Sequence, residues 1–484
     1  MRLWSKWGSG MLLLVGTVLL SGCQGNDDYE VKDYELAPSS AQSYEIDEEK
    51  EASHFVKKAI TDQKVMTLTF DGMGTKETLI PLLEQLERYQ IQATFFVTGI
   101  EVAEESELAM KIIEAGHQLG NATLSRTDLT ELTKEEQIKQ VMRSHEEIEE
   151  ITGVAPTYLR VGKRAVTEEL LDVIGDCGYE YVIDYHLSPR EWDEKTVEQA
   201  ANYIFEHKQR GSIVTLNANL SLKLDELIPL VAEQLATKGF SFVSLQSIVE
   251  LYEARQQNQF VLNENWYDTE GEVNIPIILE GDSSKPQISL TFDDWATDDT
   301  IDSILDTLDE YNVKATFFLR AKGVEANPSL AYTIAKRGHE VASHTYSHID
   351  LDTLTEQEIK DDIIKAHKTI AYAINEEPKR YLRPPRGIMN EEIAKAIAEC
   401  NYDAVMMYGP DARDWDINNT AQDITDYMLE NTTNGAILLL HILDGIATPD
   451  ALPMILEGLL EQGFEFVTLT ELVYDQLPED TEIN

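Results

Sequence analysis

Short apolar runs alternate with amphipathic stretches along most of the chain. Ile288 to Phe292 and Ala315 to Leu319 are apolar runs with polar flanks, a pattern typical of buried strands. Thr355-Glu356-Gln357-Glu358 has the spacing of a capping box and predicts a helix through about Asn375, and Thr133 to Glu136 repeats the device. Alternating strands and helices predict an α/β fold with a mostly parallel sheet or barrel. In such folds, sites lie at the carboxyl ends of strands.

The whole pattern occurs twice. VMTLTFDGMG from Val65 matches QISLTFDDWA from Gln287, and the similarity continues to GFSFVSL from Gly239 and GFEFVTL from Gly463. The offset is 222 residues at the first match and 224 at the last. We therefore predict two copies of one domain, over residues 61–255 and 286–477. The segment 256–285 between them is predicted to be a linker with one short strand at Ile275 to Leu279.

The first 22 residues have the features of a secretory signal. Arg2 and Lys6 precede an apolar run, Met11 to Leu20, which is too short to span a bilayer as a helix. The run ends in Leu20-Ser21-Gly22-Cys23, which resembles a bacterial lipobox and implies lipidation of Cys23 and an anchor outside the cytoplasmic membrane. The alternatives are an ordinary signal peptide with an incidental cysteine, or an N-terminal core helix. Residues 23–60 begin with an acidic stretch that lacks apolar periodicity, so we predict a tether there.

Charge narrows the possible partners. The 484 residues include 88 acidic and 39 basic side chains, which gives a formal net charge of −49. Nucleic acid is therefore not an expected partner, since binding to phosphates needs Lys and Arg. Acidic residues crowd both copies as well as the tether, for example Thr355 to Asp362. Three cysteines do not make a disulfide scaffold, and the matching positions of Cys177 and Cys400 favour small buried apolar roles.

Polar residues follow several predicted strands of the second copy. Asp293 and Asp294 adjoin the strand end, where neighbouring side chains point in opposite directions, so we expect them to serve different roles. His344 and His348 are four residues apart, which places both on one helical turn or across a tight loop. With a carboxylate they would supply three ligands and leave a position open, as catalytic Zn²⁺ sites require. His441 follows another apolar run. Taken singly, each feature has an alternative interpretation. The two aspartates are also typical of a turn, His344 and His348 of two solvated histidines, and His441 of a histidine at the boundary of the core.

Together these residues resemble the polysaccharide deacetylase (NodB-homology) family of carbohydrate esterases. The resemblance lies in five motifs in the family's order: Thr291-Phe292-Asp293-Asp294, His344-Thr345-Tyr346-Ser347-His348, Arg383-Pro384-Pro385-Arg386-Gly387, Asp411-Ala412-Arg413-Asp414-Trp415 and Leu439-Leu440-His441. It implies two tandem distorted (β/α) barrels. It also implies removal of N- or O-acetyl groups from sugars with one divalent metal, usually Zn²⁺, although Co²⁺ or Ni²⁺ can serve.

The resemblance assigns the metal and the proton transfers. Asp294, His344 and His348 would hold the metal. Asp293 would be the general base that deprotonates the attacking water. His441 would protonate the leaving amine.

The remaining motif residues would support these groups. Arg383 would orient Asp293, and Asp411 or Asp414 would set the protonation of His441. Trp415 would form a wall of the sugar groove, with core packing as an equal alternative. A backbone N–H near Arg386 would stabilise the oxyanion, while the Arg386 side chain stands where the family often has an aromatic residue. Trp295 replaces a small residue and would narrow the groove or stack on a sugar.

The first copy lacks this chemistry. Asp71 and Arg160 persist, as does Trp192, but Asp294, His344, His348 and His441 are matched by Gly72, Ala122, Arg126 and Asn217. We therefore predict that the first domain is inactive. His117 and His339 match each other although only one copy has a metal site, which predicts a scaffold role for both.

Two hypotheses follow. The first is a metal-dependent hydrolase whose second domain deacetylates an extracellular or cell-wall polysaccharide such as peptidoglycan. The alternative is a noncatalytic polysaccharide-binding surface lipoprotein. Retention of the full ligand set in one copy beside its loss in the other favours the enzyme.

Overall fold

Two copies of one α/β domain follow each other along the chain. The computed structural model describes Tyr44 and residues 50–162, 166–189, 195–220, 222–262 and 275–478. The signal segment, Cys23, most of the predicted tether and Trp192 lie outside these residues. Within the described ranges, no helix is both long enough and apolar enough to cross a membrane.

The first domain contains short strands and longer helices in alternation. Its strands are β1 (His54–Val56), β2 (Val65–Asp71), β3 (Thr94–Val97), β4 (Gln118–Asn121), β5 (Tyr181–Ile183), β6 (Ser212–Asn217) and β7 (Ser241–Phe242). Its helices are α1 (Lys76–Arg88), α2 (Gly99–Glu104), α3 (Ser106–Glu114), α4 (Lys134–Thr152), α5 (Glu168–Asp176), α6 (Val197–Glu206), α7 (Leu224–Ala236) and α8 (Leu245–Gln257).

The second domain repeats the order. Its strands are β8 (Ile277–Ile278), β9 (Gln287–Asp294), β10 (Thr316–Leu319), β11 (Glu340–Ser343), β12 (Tyr381–Leu382), β13 (Ala404–Met406), β14 (Ile437–Ile442) and β15 (Glu465–Phe466). Its helices are α9 (Asp298–Glu310), α10 (Ala321–Ala326), α11 (Pro328–Lys336), α12 (Glu356–Ile374), α13 (Glu391–Ala398), α14 (Ala421–Asn431), α15 (Thr448–Glu461) and α16 (Leu469–Val473). The capping box at Thr355 and the end of α12 at Asn375 confirm the predicted helix.

The strands of each domain pair in parallel and curve into an incomplete barrel. In the second domain the order is β14-β9-β10-β11-β12-β13-β8, with β15 also on β9. Single bridges from Asp411 to Leu439 and from Glu280 to Ala436 connect the two ends of this path. In the first domain, β4-β3-β2-β6 and β1-β5 form two sheets that Leu159 joins by bridging to both. The predicted tandem α/β barrels are confirmed.

Two short strands lie beyond the domain limits expected from sequence. β1 falls within the segment predicted as tether and pairs with β5. β8 falls within the segment predicted as linker and pairs with β13, so it belongs to the second barrel. Strands of two or three residues are too short to show a periodic pattern. β1 is recognisable only from its partner, whereas β8 lies within the short strand predicted at Ile275 to Leu279.

Matching histidines support the two cores. The backbone N–H of Ala93 donates to His117 Nδ1 at 3.3 Å, and that of Ala315 donates to His339 Nδ1 at 3.2 Å. Burial lowers the pKa of His117 to about 4 and that of His339 to about 3, so both are neutral acceptors. This agrees with a scaffold role. Cys177 and Cys400 are free thiols in the two cores.

Arg210 of the first domain is buried against the second. Its guanidinium donates to Asp298 and Asp302, at 2.5 Å each, in the first two turns of α9. The Arg210 side chain is only 1% exposed. Burial raises the pKa of Asp298 although the charge of Arg210 opposes that effect. Arg210 therefore supplies the counter-charge for two poorly solvated carboxylates.

Other side chains extend the same interface. Lys64 lies 3.0 Å from Asp302, and Lys208 and Lys238 each lie 3.1 Å from Asp299. At a second point, Arg255 at the end of α8 donates to the backbone carbonyls of Tyr372 and Ala373, in the last turn of α12. A cation is favourable there because the helix carbonyls carry partial negative charge. The described parts of the two domains form one compact unit.

We predict that Arg210→Met destabilises the full chain by about 3–5 kcal/mol, because it leaves two buried carboxylates without their partner. The free energy of unfolding from chemical denaturation measures this. Lys223→Met is the matched control, since it breaks the exposed pair of Lys223 with Glu226. Equal effects of the two substitutions would contradict a structural role for Arg210.

Candidate active site

The carboxyl end of β9 places two carboxylates side by side. Asp293 is 3% exposed and Asp294 is 8% exposed. Asp294 has a φ of 82°, in the left-handed region. Side chains alternate along a regular strand, and this turn of the backbone ends the alternation. The two neighbouring residues nevertheless have different surroundings, because Asp293 contacts Arg383 and Asp294 lies 3.8 Å from His348.

Arg383 binds and orients the carboxylate of Asp293. This guanidinium is fully buried. It donates to Asp293 Oδ1 at 2.7 Å, to Thr291 Oγ1 at 2.8 Å and to the carbonyls of Met406 and Met407 at 3.1 Å each. The ring of Phe318 lies 4.0 Å from its Cζ. Arg383 therefore fixes one oxygen of Asp293 and leaves the other to face His344, whose Nε2 lies 3.8 Å away.

The two motif histidines lie in a tight loop after β11, not on a helix. Thr345 and His348 have positive φ values of 63° and 59°, which fold the loop back on itself and bring the imidazole centroids within 4.8 Å. Asp362 of α12 accepts the backbone N–H groups of Tyr346 at 2.7 Å and Ser347 at 3.2 Å. Sequence reasoning missed this role of Asp362, which lies within an acidic run resembling a solvated helix face.

Asp294, His344 and His348 form the candidate metal site. One ligand atom from each residue lies within 4.8 Å of the other two. His344 Nδ1 lies 2.8 Å from the carbonyl of Arg383, which accepts only, so Nδ1 carries the proton and Nε2 is left as a ligand. Burial, followed by the charge of His344, lowers the pKa of His348. Two imidazoles and a carboxylate suit Zn²⁺ and similar divalent ions.

His441 lies on β14 directly beside Asp293 in the register of the sheet. Its Nδ1 lies 2.7 Å from Asp414 Oδ1, and its backbone N–H donates to Asp414 Oδ2 at 2.7 Å. Asp414 is fully buried and also accepts from the Thr448 hydroxyl at 2.5 Å. Burial alone would lower the pKa of His441, but the hydrogen bond and charge of Asp414, with the charges of Asp293 and Asp294, raise it to about 9. The imidazole is therefore protonated at neutral pH and can act as an acid.

The structure separates the two candidates for the partner of His441. Asp411 accepts from the backbone N–H of Arg413 at 2.8 Å in a local turn, and only Asp414 bonds to His441. The expectation for Asp411 is thus corrected. Asp411 precedes Asp414 by three residues on the same loop, and the direction of each side chain is set by the backbone there. The role of Thr448 was missed because it lies on another segment.

The three predicted groove residues differ in their surroundings. Trp415 is 48% exposed, which excludes core packing. Trp295 is half-buried against the core, and its Cγ lies 2.3 Å from the position that a Cβ on Gly323 would occupy. The missing side chain of Gly323 makes room for the ring on α10, and the groove role of Trp295 stays a prediction. Arg386 is 61% exposed and pairs with Asp350, and its charge contributes to the lowered pKa of His348.

The first domain keeps the base and its arginine but fills the metal position. Arg160 donates to Asp71 Oδ1 at 3.2 Å and is 5% exposed. Arg126 Nη2 donates to the carbonyl of Phe96 at 2.9 Å, and its Nη1 lies 3.9 Å from Asp71. The guanidinium of Arg126 thus lies about as far from Asp71, 3.9 Å, as the imidazole of His344 lies from Asp293, 3.8 Å.

Asn219 occupies the space of the lost carboxylate. A Cβ on Gly72 would lie 2.1 Å from Asn219 Nδ2. That amide is held in place, because Asn219 Oδ1 accepts from Gly74 N at 2.8 Å and Nδ2 donates to Glu101 at 2.9 Å. Sequence comparison of the copies identified the lost ligands. It did not identify Asn219, which lies outside every motif.

A buried carboxylate, a candidate three-ligand metal site and a protonated imidazole at the ends of parallel strands are the groups on which a metal-assisted hydrolase of the α/β barrel class is built. A model of the polysaccharide deacetylase family matches residues 58–182 and 280–405, which together make up just over half of the chain. The chain belongs to this family, and it contains the family domain twice.

Three relatives illustrate the similarity. The peptidoglycan-N-acetylglucosamine deacetylase PgdA of Listeria monocytogenes serotype 1/2a is 34% identical over 205 residues, which is 42% of this chain and 42% of PgdA. A peptidoglycan-N-acetylglucosamine deacetylase of Bacillus cereus is 35% identical over 197 residues, covering 40% of this chain and 70% of that protein. The solved structure of the Bc1960 peptidoglycan N-acetylglucosamine deacetylase has 33% identity and a TM-score of 0.39, covering 42% of this chain and 94% of Bc1960. The matched region thus spans less than half of PgdA.

We predict that Asp414→Asn lowers the pKa of His441, because it removes the charge that outweighs burial. NMR titration of His441 in the full chain measures the shift. The present pKa of about 9 lies above the ordinary value of 6.5. The interaction therefore stabilises the folded chain fully below pH 6.5, and this contribution is lost as the pH rises through about 9. Asp411→Asn is the control and should leave the titration in place. If Asp411→Asn shifted the pKa of His441 and Asp414→Asn did not, the assignment of Asp414 as the partner of His441 would be wrong.

We predict that tight metal binding in the first domain needs a fourth substitution besides the three that supply ligands. Gly72→Asp, Ala122→His and Arg126→His supply ligands, but the new carboxylate displaces Asn219 from two hydrogen bonds worth about 1 kcal/mol each. Adding Asn219→Ala should tighten Zn²⁺ binding at least about tenfold.

Calorimetry in a His344→Ala/His348→Ala background isolates this site from the second domain. Asn202→Ala, which alters an exposed amide on α6 that bonds to Gln234, is the matched fourth substitution for comparison. Equal affinity of the variant with three substitutions and the variant with Asn219→Ala would show that Asn219 is not an obstacle.

Proposed function

We propose that the second domain is a metal-dependent deacetylase that hydrolyses acetyl groups, in the first place N-acetyl groups, on a cell-wall polysaccharide such as peptidoglycan. The observation that carries the proposal is the juxtaposition of Asp293 with His441 across β9 and β14, beside the three candidate ligands. A base and an acid on adjacent strands serve the two proton transfers of amide hydrolysis. The similarity to peptidoglycan deacetylases supports the choice of polymer.

The chain's own residues supply the proton transfers. Asp293, oriented by Arg383, takes a proton from the water that attacks the acetyl carbonyl. His441, kept protonated by Asp414, donates a proton to the sugar nitrogen as the carbon–nitrogen bond breaks. Asp294, His344 and His348 would hold a divalent ion, Zn²⁺ in the first place, which when bound supplies Lewis-acid polarisation of the carbonyl and the water. A backbone N–H near Arg386 would take part of the charge on the carbonyl oxygen.

Exposed apolar side chains at this end of the barrel support a sugar substrate. Trp415 is 48% exposed beside Asp414, and Ile349 is 47% exposed beside His348. Aromatic and aliphatic side chains next to polar catalytic groups give a rim on which a sugar ring can pack. The net charge of −49 disfavours polyanionic polymers, so a neutral acetylated sugar is the better substrate.

We further propose that the protein acts outside the cytoplasmic membrane, held there by a lipid on Cys23. The support is the sequence around Leu20-Ser21-Gly22-Cys23 and the apolar run before it. Acyl chains would anchor the protein without a spanning helix.

The decisive experiment measures acetate release from peptidoglycan and from N-acetylated oligosaccharides by the full chain. Release should stop with a chelator and return with added Zn²⁺. Absence of metal-dependent release across a broad panel of acetylated glycans would overturn the enzyme and favour the noncatalytic alternative.

We predict that Asp293→Asn lowers kcat about 10²–10⁴-fold, the usual worth of a general base, while Zn²⁺ affinity by calorimetry is retained. Asp184→Asn, which changes a carboxylate paired with the half-exposed Lys57, is the control. Loss of Zn²⁺ binding in Asp293→Asn would instead make Asp293 a metal ligand.

A further inference from the structure

The site of the first domain has a permanent cation where the second has its candidate metal ligands. Arg126 has a φ of 53°, close to the 59° of the matching His348, so the backbone of the loop is shared. Its Nη1 lies 3.9 Å from Asp71, and its Nη2 donates to the Phe96 carbonyl. The positive charge next to the retained carboxylate is therefore part of the protein.

This site is open to solvent. The side chain of Asp71 is 20% exposed, whereas that of the matching Asp293 is 4% exposed, and Arg126 is 29% exposed beside 22% for the matching His348. A guanidinium has five N–H donors. Among the described residues, Arg126 makes one hydrogen bond, to Phe96, and a longer approach to Asp71, so further donors of the guanidinium remain for a ligand.

An aromatic side chain lies beside Arg160, which binds Asp71. The ring of Tyr185 is 5.8 Å from the Cζ of Arg160 and the residue is 39% exposed. Its match in the second domain, Tyr408, lies 5.5 Å from Arg383 in the same way. The first domain thus combines a donor, an acceptor and an exposed ring at the carboxyl ends of its strands.

We propose that the first domain is a noncatalytic binding site for N-acetylated sugars. Arg126 donates to the acetyl carbonyl oxygen, Asp71 accepts from the amide N–H or a neighbouring hydroxyl, and the sugar ring packs on Tyr185. An acetamido group presents one acceptor and one donor, which match Arg126 and Asp71. A carboxylate ligand would meet the charge of Asp71, and a deacetylated sugar would place its ammonium next to Arg126.

A sugar bound there is held and not cleaved. Asn217 stands where His441 supplies its proton in the second domain, and a carboxamide is not a general acid at neutral pH. With Gly72 and Ala122 in place of two ligands, the site also lacks the donors for a metal. Its binding does not depend on hydrolysis by the second domain.

The test uses the full chain with His344→Ala and His348→Ala, which removes the second site's metal ligands. Calorimetry compares chitotetraose with its fully de-N-acetylated form. We expect binding of the acetylated tetramer alone, weakened at least about tenfold by Arg126→Gln, because a hydrogen bond from a charged donor is worth about 1.5–3 kcal/mol. Arg88→Gln, on the exposed face of α1, is the matched control and should bind as the parent does.

Asp71→Asn provides a second variant, and thermal denaturation checks that each variant is folded. Three outcomes would overturn the proposal: no binding of chitotetraose, equal binding of both tetramers, or unchanged binding in both Arg126→Gln and Asp71→Asn. Failure of acetate release by the unaltered chain would overturn the deacetylase proposal and leave this one standing, so the two are distinguishable.

Discussion

Each barrel depends on one buried arginine. Arg383 is fully buried and Arg160 is 5% exposed, and each guanidinium lies about 4 Å from a phenylalanine ring, 4.0 Å for Arg383 and 3.9 Å for Arg160. Burying a charge costs several kcal/mol unless hydrogen bonds and a counter-charge compensate it. The arginines meet this demand by donating to backbone carbonyls, to threonine hydroxyls and to the aspartate at the end of the central strand. The aspartate is therefore held by the fold itself, in both copies.

The sites of the two domains share their backbone conformation but differ in their side chains. Asp294 and Gly72 both have positive φ, 82° and 77°, as do His348 and Arg126. This conformation costs a non-glycine residue about 1–2 kcal/mol, and glycine adopts it freely. The backbone of Asp294 is therefore strained, whereas Gly72 at the matching position of the first domain is not. Such a cost is tolerated where a side chain has a function, as strained residues at sites generally show.

Sequence patterns predicted the repeat, the α/β barrels, the long helix at Thr355 and the residues that now lie around Asp293. These features are local or are repeated in order, so they leave a readable signal. Asp362, Thr448 and Asn219 escaped notice because each acts across segments far apart in the chain. The packing of Trp295 over Gly323 was not predicted either, because proximity to a motif does not set the direction of a side chain. The features that could not be predicted from the sequence are therefore mainly contacts between separate segments of the chain.

The opposing charges at the domain interface explain how so acidic a chain forms one unit. Lys64, Lys208, Arg210 and Lys238 of the first domain meet Asp298, Asp299 and Asp302 at the start of α9. Acidic residues are favourable at a helix N-terminus, so they stabilise α9 independently of the first domain. Arg210 then gives two of these carboxylates a buried partner that salt screens only weakly. Because α9 begins four residues after Asp294, the interface also supports the segment that carries the candidate metal ligand. The first domain thus contributes to the second through structure, whatever it binds itself.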